Sequence, residues 1–160
     1  MSIVVEVIAL LRVKSWKLAA AESCTGGMVA AAITDVAGSS DVFDRGFVTY
    51  SNLSKVEMLG VVPALIATHG AVSSQVARAM CEGALLYSKA QISVSITGIA
   101  GPGGGSAEKP VGLVHFAVAS NGHSTVTSEM QFGDIGRTEV RTKARDFALQ
   151  MVLGQLAALP

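Results

Sequence analysis

Three residues between positions 40 and 55 have side chains that together could carry out nucleophilic chemistry. Ser40 follows a glycine that should end a helix, Tyr50 lies at the end of a predicted strand, and Lys55 lies at the start of the next predicted helix. A serine hydroxyl is a weak nucleophile unless a base removes its proton, and a desolvated lysine can be that base. Tyr50 could relay or orient the proton. Spacing alone favours a simpler alternative, a capping serine and an exposed lysine, and no histidine recurs nearby to suggest a Ser-His-Asp triad.

Two glycine-containing segments follow predicted strands and could bind an anionic ligand. The first, residues 21–27, leads into a helix whose exposed N–H groups favour anions. The second, residues 98–105, has five glycines in eight positions at the carboxyl end of a strand, where ligands bind in open α/β sheets. A tight turn capped by Ser23 or Thr25 and a flexible surface loop are the respective alternatives. Neither segment has the spacing of a P-loop or a Rossmann fingerprint, and Cys24 is interpreted as an inert, half-buried thiol.

Arg137, Arg141 and Arg145 are spaced four residues apart, which places them on one face of a predicted helix. Arginine binds phosphate bidentately, and Arg137 lies near the helix N-terminus, where anions are also favoured. The alternative is a solvated charged face, and Arg145 fits that description. The pattern therefore predicts an anion contact at Arg137, with Arg141 one turn further along the helix.

The elements that would position these residues alternate between helices and strands and end with a hairpin and a long helix. Apolar periodicity, turn residues and an N-cap at Ser73 predict their bounds. Helices are predicted over residues 4–13, 26–36, 53–59, 63–68, 73–87 and 137–156, and strands over residues 16–22, 45–51, 91–97, 112–119 and 124–132. Asn121-Gly122 between the last two strands is a signal for a type I′ hairpin. This order predicts an α/β fold in which helices cover a mixed sheet.

The composition of the 160 residues is typical of one soluble domain with a large apolar core, spanning residues 1–160. Half of the residues are hydrophobic and only 15% are charged, which favours a buried interface in a homodimer or higher homo-oligomer. The 12 basic and 12 acidic residues balance, so no global charge attracts nucleic acid or a membrane. With no signal peptide or membrane span predicted, a cytoplasmic location is expected. The two cysteines fit a reducing compartment, and no cysteine or histidine has a partner at metal-binding spacing.

Five sequence blocks resemble the signature blocks of the CinA C-terminal domain family. They are residues 21–27, 46–52, 69–73, 98–102 and 109–112. Because these blocks occur in one order along nearly the whole chain, the resemblance is specific. It implies a three-layer α/β/α sandwich and a dimer, with no metal or other cofactor. It also implies an amidohydrolase that converts nicotinamide mononucleotide to nicotinic acid mononucleotide and ammonia in pyridine nucleotide salvage.

The resemblance assigns catalytic roles by position. Ser40 matches the nucleophile, with Lys55 and Tyr50 as its activating partners, and Ser23 is the alternative nucleophile. In the mechanism expected from these roles, neutral Lys55 removes the serine proton and the serine attacks the nicotinamide carbonyl. Backbone N–H groups of a glycine-rich loop would stabilise the oxyanion.

The resemblance also assigns substrate contacts, because Ser23 and Thr97 match polar pocket residues and Arg137 matches a contact to the substrate phosphate. The full substrate-binding set expected from the motifs and the resemblance comprises Ser23, Thr25, Gly26, Thr97, Gly98, Gly101, Arg137 and Arg141. A nucleotide-binding module without catalysis is the alternative function, since the glycine loops and arginines would serve it equally well. A structural or interaction domain is the third.

Overall fold

The computed structural model describes all 160 residues, Met1–Pro160, and contains six α-helices and five β-strands. The helices are α1 (Ile3–Lys14), α2 (Met28–Thr34), α3 (Asn52–Leu59), α4 (Pro63–His69), α5 (Ser74–Leu86) and α6 (Arg137–Ala158). The strands are β1 (Leu18–Glu22), β2 (Phe43–Val48), β3 (Ile92–Gly98), β4 (Leu113–Ser120) and β5 (Val126–Gln131), and a turn of 3-10 helix, Ser39–Asp41, precedes β2. Every predicted helix and strand is present, and their ends differ from the prediction by at most three residues.

The five strands form one mixed sheet in the order β2-β1-β3-β4-β5. β1 lies between β2 and β3 and is parallel to both, whereas β4 is antiparallel to β3 and to β5. Parallel strands need crossover connections, and helices supply them here: α2 between β1 and β2, and α3 to α5 between β2 and β3. The carboxyl ends of β1, β2 and β3 therefore lie at the same edge of the sheet, which is the usual ligand-binding edge of open α/β sheets.

Helices cover both faces of the sheet, so the expected three-layer α/β/α sandwich is confirmed. On one face, α1, α2 and α6 bury the larger core, a cluster of 22 residues that includes Leu11, Phe116 and Leu149. On the other face, α3 and α5 pack Leu59 and Met80 against the sheet. β1 is buried along its whole length, which explains why its alanine-rich sequence shows no alternation of apolar and polar residues.

The last helix, α6, is the longest, with 22 residues, and it begins at Arg137 as predicted. Val140, Ala144 and Leu149 are among its residues that are buried in the larger core. Neither α6, which carries charged residues along its length, nor any shorter helix is both long and apolar enough to span a membrane.

The β4–β5 pair forms as predicted, but the type I′ turn expected between these strands is wrong. A type I′ turn needs a positive φ at both central residues. Only Gly122 has one, at 80°, and the connection between the strands runs over residues 121–125. The N–H of His123 donates to the carbonyl of Ser120 at 3.1 Å and closes the turn. The Asn-Gly pair therefore marks the position of the turn correctly. Because the connection is longer than two residues, the turn need not have the type I′ geometry that matches the twist of a tight hairpin.

Candidate active site

Lys55 has a buried amine at the carboxyl edge of the parallel strands. Its side chain is only 1% exposed. Its Nζ lies 3.0 Å from Ser23 Oγ and donates to the carbonyl oxygens of Thr49 and Tyr50 at 2.9 and 3.3 Å. No carboxylate forms a salt bridge with it. Burial therefore lowers the pKa of Lys55 from its ordinary value of 10.5, and the nearby Cys24 opposes this shift.

The chain positions Lys55 through the junction between β2 and α3. Thr49 and Tyr50 follow β2, and their carbonyls point at the amine. Ser51 then caps α3, because its Oγ accepts a hydrogen bond from the N–H of Ser54 at 3.0 Å. The cap fixes the first turn of the helix, which carries Lys55 back over the end of β2. The strand end and the helix start thus form one unit that holds the amine.

Ser23 follows β1 and opens the turn that leads into α2. Its N–H donates to the carbonyl of Ile96 at 3.0 Å, which extends the pairing of β1 with β3 by one residue. Gly26 and Gly27 have positive φ values of 59° and 112°, a conformation that glycine adopts without strain. The glycines of this segment therefore allow a tight turn that leaves Ser23 beside Lys55.

Glu22, the residue before Ser23, holds this turn from the inside. Its buried carboxylate accepts hydrogen bonds from the Thr25 hydroxyl at 2.7 Å and from the N–H groups of Val29 and Ala30 at 2.9 and 3.1 Å. A carboxylate at a helix N-terminus is favoured by the helix dipole. Glu22 thus has the capping role that the sequence suggested for Ser23 or Thr25. The Ser23 hydroxyl is not used as a cap and lies 3.0 Å from the Lys55 amine and 3.5 Å from the Tyr50 carbonyl.

Arg141 holds the same turn from the outside. Its Nε donates to the carbonyl of Cys24 at 2.9 Å, and a second guanidinium nitrogen lies 3.3 Å from the carbonyl of Thr25. Thr25, Gly26 and Arg141 were expected to contact substrate, but none of them lines the cavity that contains Ser23. Their observed contacts shape the turn instead.

The variant Arg141→Ala is expected to lower the free energy of unfolding by about 1–3 kcal/mol, because two hydrogen bonds from a charged donor are lost. The matched control is Arg145→Ala on the same helix, since Arg145 pairs only with the neighbouring Asp146 at 2.9 Å. Arg145→Ala is expected to change the free energy of unfolding by no more than about 0.5 kcal/mol. Urea unfolding of both variants measures the difference, and equal losses would contradict the role given to Arg141.

A cavity of about 250 Å³ contains the Ser23–Lys55 pair. Its walls come from the ends of β1, β2 and β3, from the loop of residues 98–105 (the glycine-rich loop) and from the start of α6. Its lining residues are Ser23, Cys24, Tyr50, Asn52, Lys55, Ala71, Val72, Thr97, Gly98, Ile99, Ala100, Gly101, Gly103, Gly104 and Arg137. Two wider surface clefts, of about 560 and 620 Å³, contain neither the serine nor the lysine. The smaller cavity is therefore the one with nucleophilic chemistry.

Arg137 lies at the cavity and connects the glycine-rich loop to Tyr50. Its guanidinium donates to the carbonyl of Gly101 at 2.8 Å and to the Tyr50 hydroxyl at 2.7 Å. The hydroxyl that was expected to relay a proton thus bonds to an arginine, and Tyr50 contacts Lys55 only through its backbone carbonyl. No side chain caps the N-terminus of α6 beside Arg137. A guanidinium and an uncapped helix N-terminus together favour an anion here.

Ser40 lies apart from this cavity, and within one chain it does not meet Lys55, the base predicted for it. Ser40 is exposed on the 3-10 turn before β2, whereas Lys55 follows β2. The six residues of β2 span about 20 Å along the strand, so Ser40 and Lys55 lie at opposite ends of β2. The structure therefore brings Lys55 to Ser23, the alternative nucleophile, and not to Ser40.

The other reactive side chains near the cavity do not compete with Ser23. Burial raises the pKa of the Cys24 thiol to about 11, which makes the thiolate scarce at neutral pH and agrees with the inert role expected for it. No three His, Cys, Asp or Glu side chains lie close enough together to hold a metal ion. Sequence reasoning missed Asn52 in the cavity wall and the cap at Glu22. Both lie inside sequence blocks that carry the family resemblance, residues 21–27 and 46–52, but neither was given a role.

Comparisons with known proteins give similarity over nearly the whole chain. Residues 1–156 match the family model described as the CinA C-terminal domain. A nicotinamide-nucleotide amidohydrolase, PncC, of Enterobacter agglomerans is 53% identical over 150 residues, which are 93% of this chain and 90% of that protein. A CinA-like protein of Syntrophobacter fumaroxidans is 47% identical over 142 residues, 89% of this chain but 33% of that longer protein. The crystal structure of the competence/damage inducible protein CihA from Agrobacterium tumefaciens has a TM-score of 0.94 and 50% identity, covering 97% of this chain and 93% of that one.

Proposed function

The chain belongs to the CinA C-terminal domain family, and we propose that it hydrolyses the carboxamide of nicotinamide mononucleotide to give nicotinic acid mononucleotide and ammonia. The observation that carries this proposal is the 3.0 Å contact between Ser23 Oγ and the buried Nζ of Lys55. A module that only binds nucleotides has no need of a buried lysine without a carboxylate partner, because burying an amine opposes its charge. A hydrolase that uses the neutral amine as a base does need one.

The hydrogen bonds of Lys55 support its role as the base that activates Ser23. A neutral amine has two N–H donors and one lone pair. The carbonyls of Thr49 and Tyr50 can accept the two N–H bonds, at 2.9 and 3.3 Å. The lone pair then has one remaining neighbour, the Ser23 hydroxyl at 3.0 Å, which can turn from its 3.5 Å contact with the Tyr50 carbonyl and donate to the amine. The arrangement thus orients the lone pair toward the proton that must be removed.

The reaction follows as acyl transfer to serine and then to water. Lys55 takes the hydroxyl proton as Ser23 Oγ attacks the carboxamide carbon. The tetrahedral intermediate breaks its C–N bond, and the protonated Lys55 gives the proton to the leaving nitrogen, which departs as ammonia. A water molecule then attacks the ester while Lys55 takes its proton. Collapse of the second intermediate returns the proton to Ser23 and releases the acid.

Backbone N–H groups beside Ser23 support stabilisation of the oxyanion. The N–H of Cys24 makes no backbone hydrogen bond, and it belongs to the residue directly after the proposed nucleophile. The N–H groups of Ala100 and Gly101, in the loop of residues 98–105, also make no backbone hydrogen bond. Such donors are worth about 3–4 kcal/mol each when they meet a developing negative charge. These three amides are the proposed oxyanion donors.

Arg137 and the start of α6 are proposed to bind the phosphate of the substrate. The guanidinium has five N–H donors, and its bonds to Gly101 and Tyr50 use two of them. The remaining donors and the uncapped N–H groups of α6 can bind a phosphate, whose charge the helix dipole also favours. The nicotinamide ring would then extend from this anion site toward Ser23.

Purified protein, treated with a chelator, is expected to release ammonia from nicotinamide mononucleotide in equal amount with nicotinic acid mononucleotide. Coupled ammonia detection and chromatography of the nucleotide measure the two products separately. Heat-inactivated protein is the control for spontaneous hydrolysis. Tight binding of the nucleotide in calorimetry without any turnover would contradict the proposal and favour a nucleotide-binding module.

A further inference from the structure

Thr97, at the carboxyl end of β3, lies beside Ser23 in the cavity. The β1–β3 register pairs Glu22 with Ile96, so the next residues, Ser23 and Thr97, are lateral neighbours. Neighbouring strands are about 4.8 Å apart, and alternation directs both side chains to the same face of the sheet. The contact of Ser23 with Lys55 and that of Thr97 with Ala71 lie on this face.

The hydrogen bond of Thr97 has only one possible direction. Its Oγ1 lies 2.9 Å from the carbonyl oxygen of Ala71, and a carbonyl oxygen can only accept. The single hydroxyl proton of Thr97 is therefore used within the protein. Thr97 is 1% exposed and lines the cavity, so what its oxygen offers to a ligand there is acceptor capacity alone.

We propose that Thr97 is a specificity residue that accepts a hydrogen bond from the carboxamide NH₂ of the substrate and disfavours the carboxylate of the product. This inference rests on the proposed amide hydrolysis. A carboxamide has N–H donors that match the acceptor at Thr97, whereas a carboxylate has only acceptors and would face it with like partial charge.

Binding is best measured in the Ser23→Ala background, where turnover is removed. The three probes are nicotinamide mononucleotide, nicotinic acid mononucleotide and 3-acetylpyridine mononucleotide, in which a methyl group replaces the NH₂. With Thr97 present, the amide is expected to bind about tenfold more tightly than the ketone, as one matched hydrogen bond predicts. Equal affinities for amide and ketone would overturn the inference, and this comparison does not depend on any substitution at Thr97.

The variant Thr97→Val removes the acceptor with little change of shape, and Thr97→Ser retains it. The valine variant is expected to lose about tenfold in affinity for the amide and none for the ketone or the acid, whereas the serine variant keeps the wild-type order. Equal weakening of all three ligands would indicate a structural role only and overturn the inference. If wild-type protein showed no amide hydrolysis, the proposed function itself would fail. Normal turnover with a flat ligand order would reject only the role of Thr97.

Discussion

Ser23→Ala is expected to lower kcat for amide hydrolysis by at least about a thousandfold, because the proposed nucleophile is removed while the cavity is kept. The Ser23 hydroxyl lies 3.0 Å from the amine of Lys55, and no other side-chain hydroxyl in the cavity bonds to that amine. Ammonia release under saturating nicotinamide mononucleotide measures the loss. Rapid-mixing experiments with the wild-type protein would in addition show a burst of ammonia if the acyl-enzyme accumulates.

Ser40→Ala is the matched control for this variant, since it removes the same hydroxyl from the residue that the family resemblance favoured. Ser40 is exposed and precedes β2, so the variant is expected to keep turnover close to that of the wild type. Thermal unfolding of both variants checks that each is folded. Full activity of Ser23→Ala together with loss of activity in Ser40→Ala would contradict the assignment of the nucleophile.

Much of the fold could be predicted because local patterns agree with the tertiary structure. The Ser73 cap is an example: its Oγ accepts from the N–H of Val76 at 3.2 Å, as the sequence pattern before α5 predicts. The bounds of β2 were predicted less well, since no residue of this edge strand is fully buried and its sequence does not alternate strictly between apolar and polar residues. The turn at Gly122 was assigned the wrong type because turn type depends on loop length, which the dipeptide alone does not fix.

The site could be predicted only in part, because its geometry depends on how strands pair. Lys55 and Arg137 were recognisable from the sequence, and both line the cavity. The serine partner of Lys55 was not, because the family resemblance and the shorter separation both favoured Ser40, whereas Ser23 is 32 residues away. Only the parallel pairing of β1 with β2 brings the ends of both strands to one edge and the start of β2 to the other. Arg141 shows the same limit, since helical spacing gave its face but not its contact with a backbone turn.

Lys55→Met is expected to lower kcat by about a hundredfold or more, because the general base is lost while an apolar side chain of similar length fills the buried site. Lys55→Arg is expected to be equally inactive, since a guanidinium stays charged and cannot take the Ser23 proton. In the wild type, kcat/KM is expected to rise with pH as Lys55 loses its proton. This rise should lie below 10.5, because burial lowers the pKa of the amine. A kcat/KM that falls as pH increases over this range would contradict a neutral lysine base.

Protein stability provides an independent measure of the same ionisation. In the unfolded chain Lys55 keeps its proton up to about pH 10.5, whereas in the folded chain burial releases it at lower pH. Between the two pKa values the unfolded state binds more protons, so the free energy of unfolding should rise with pH. Below the lowered pKa both states are protonated, and this contribution no longer varies. Urea unfolding of wild type and Lys55→Met across pH isolates it. The wild type should gain stability relative to the variant as pH increases, and the opposite trend would mean that the buried amine is held in its charged form.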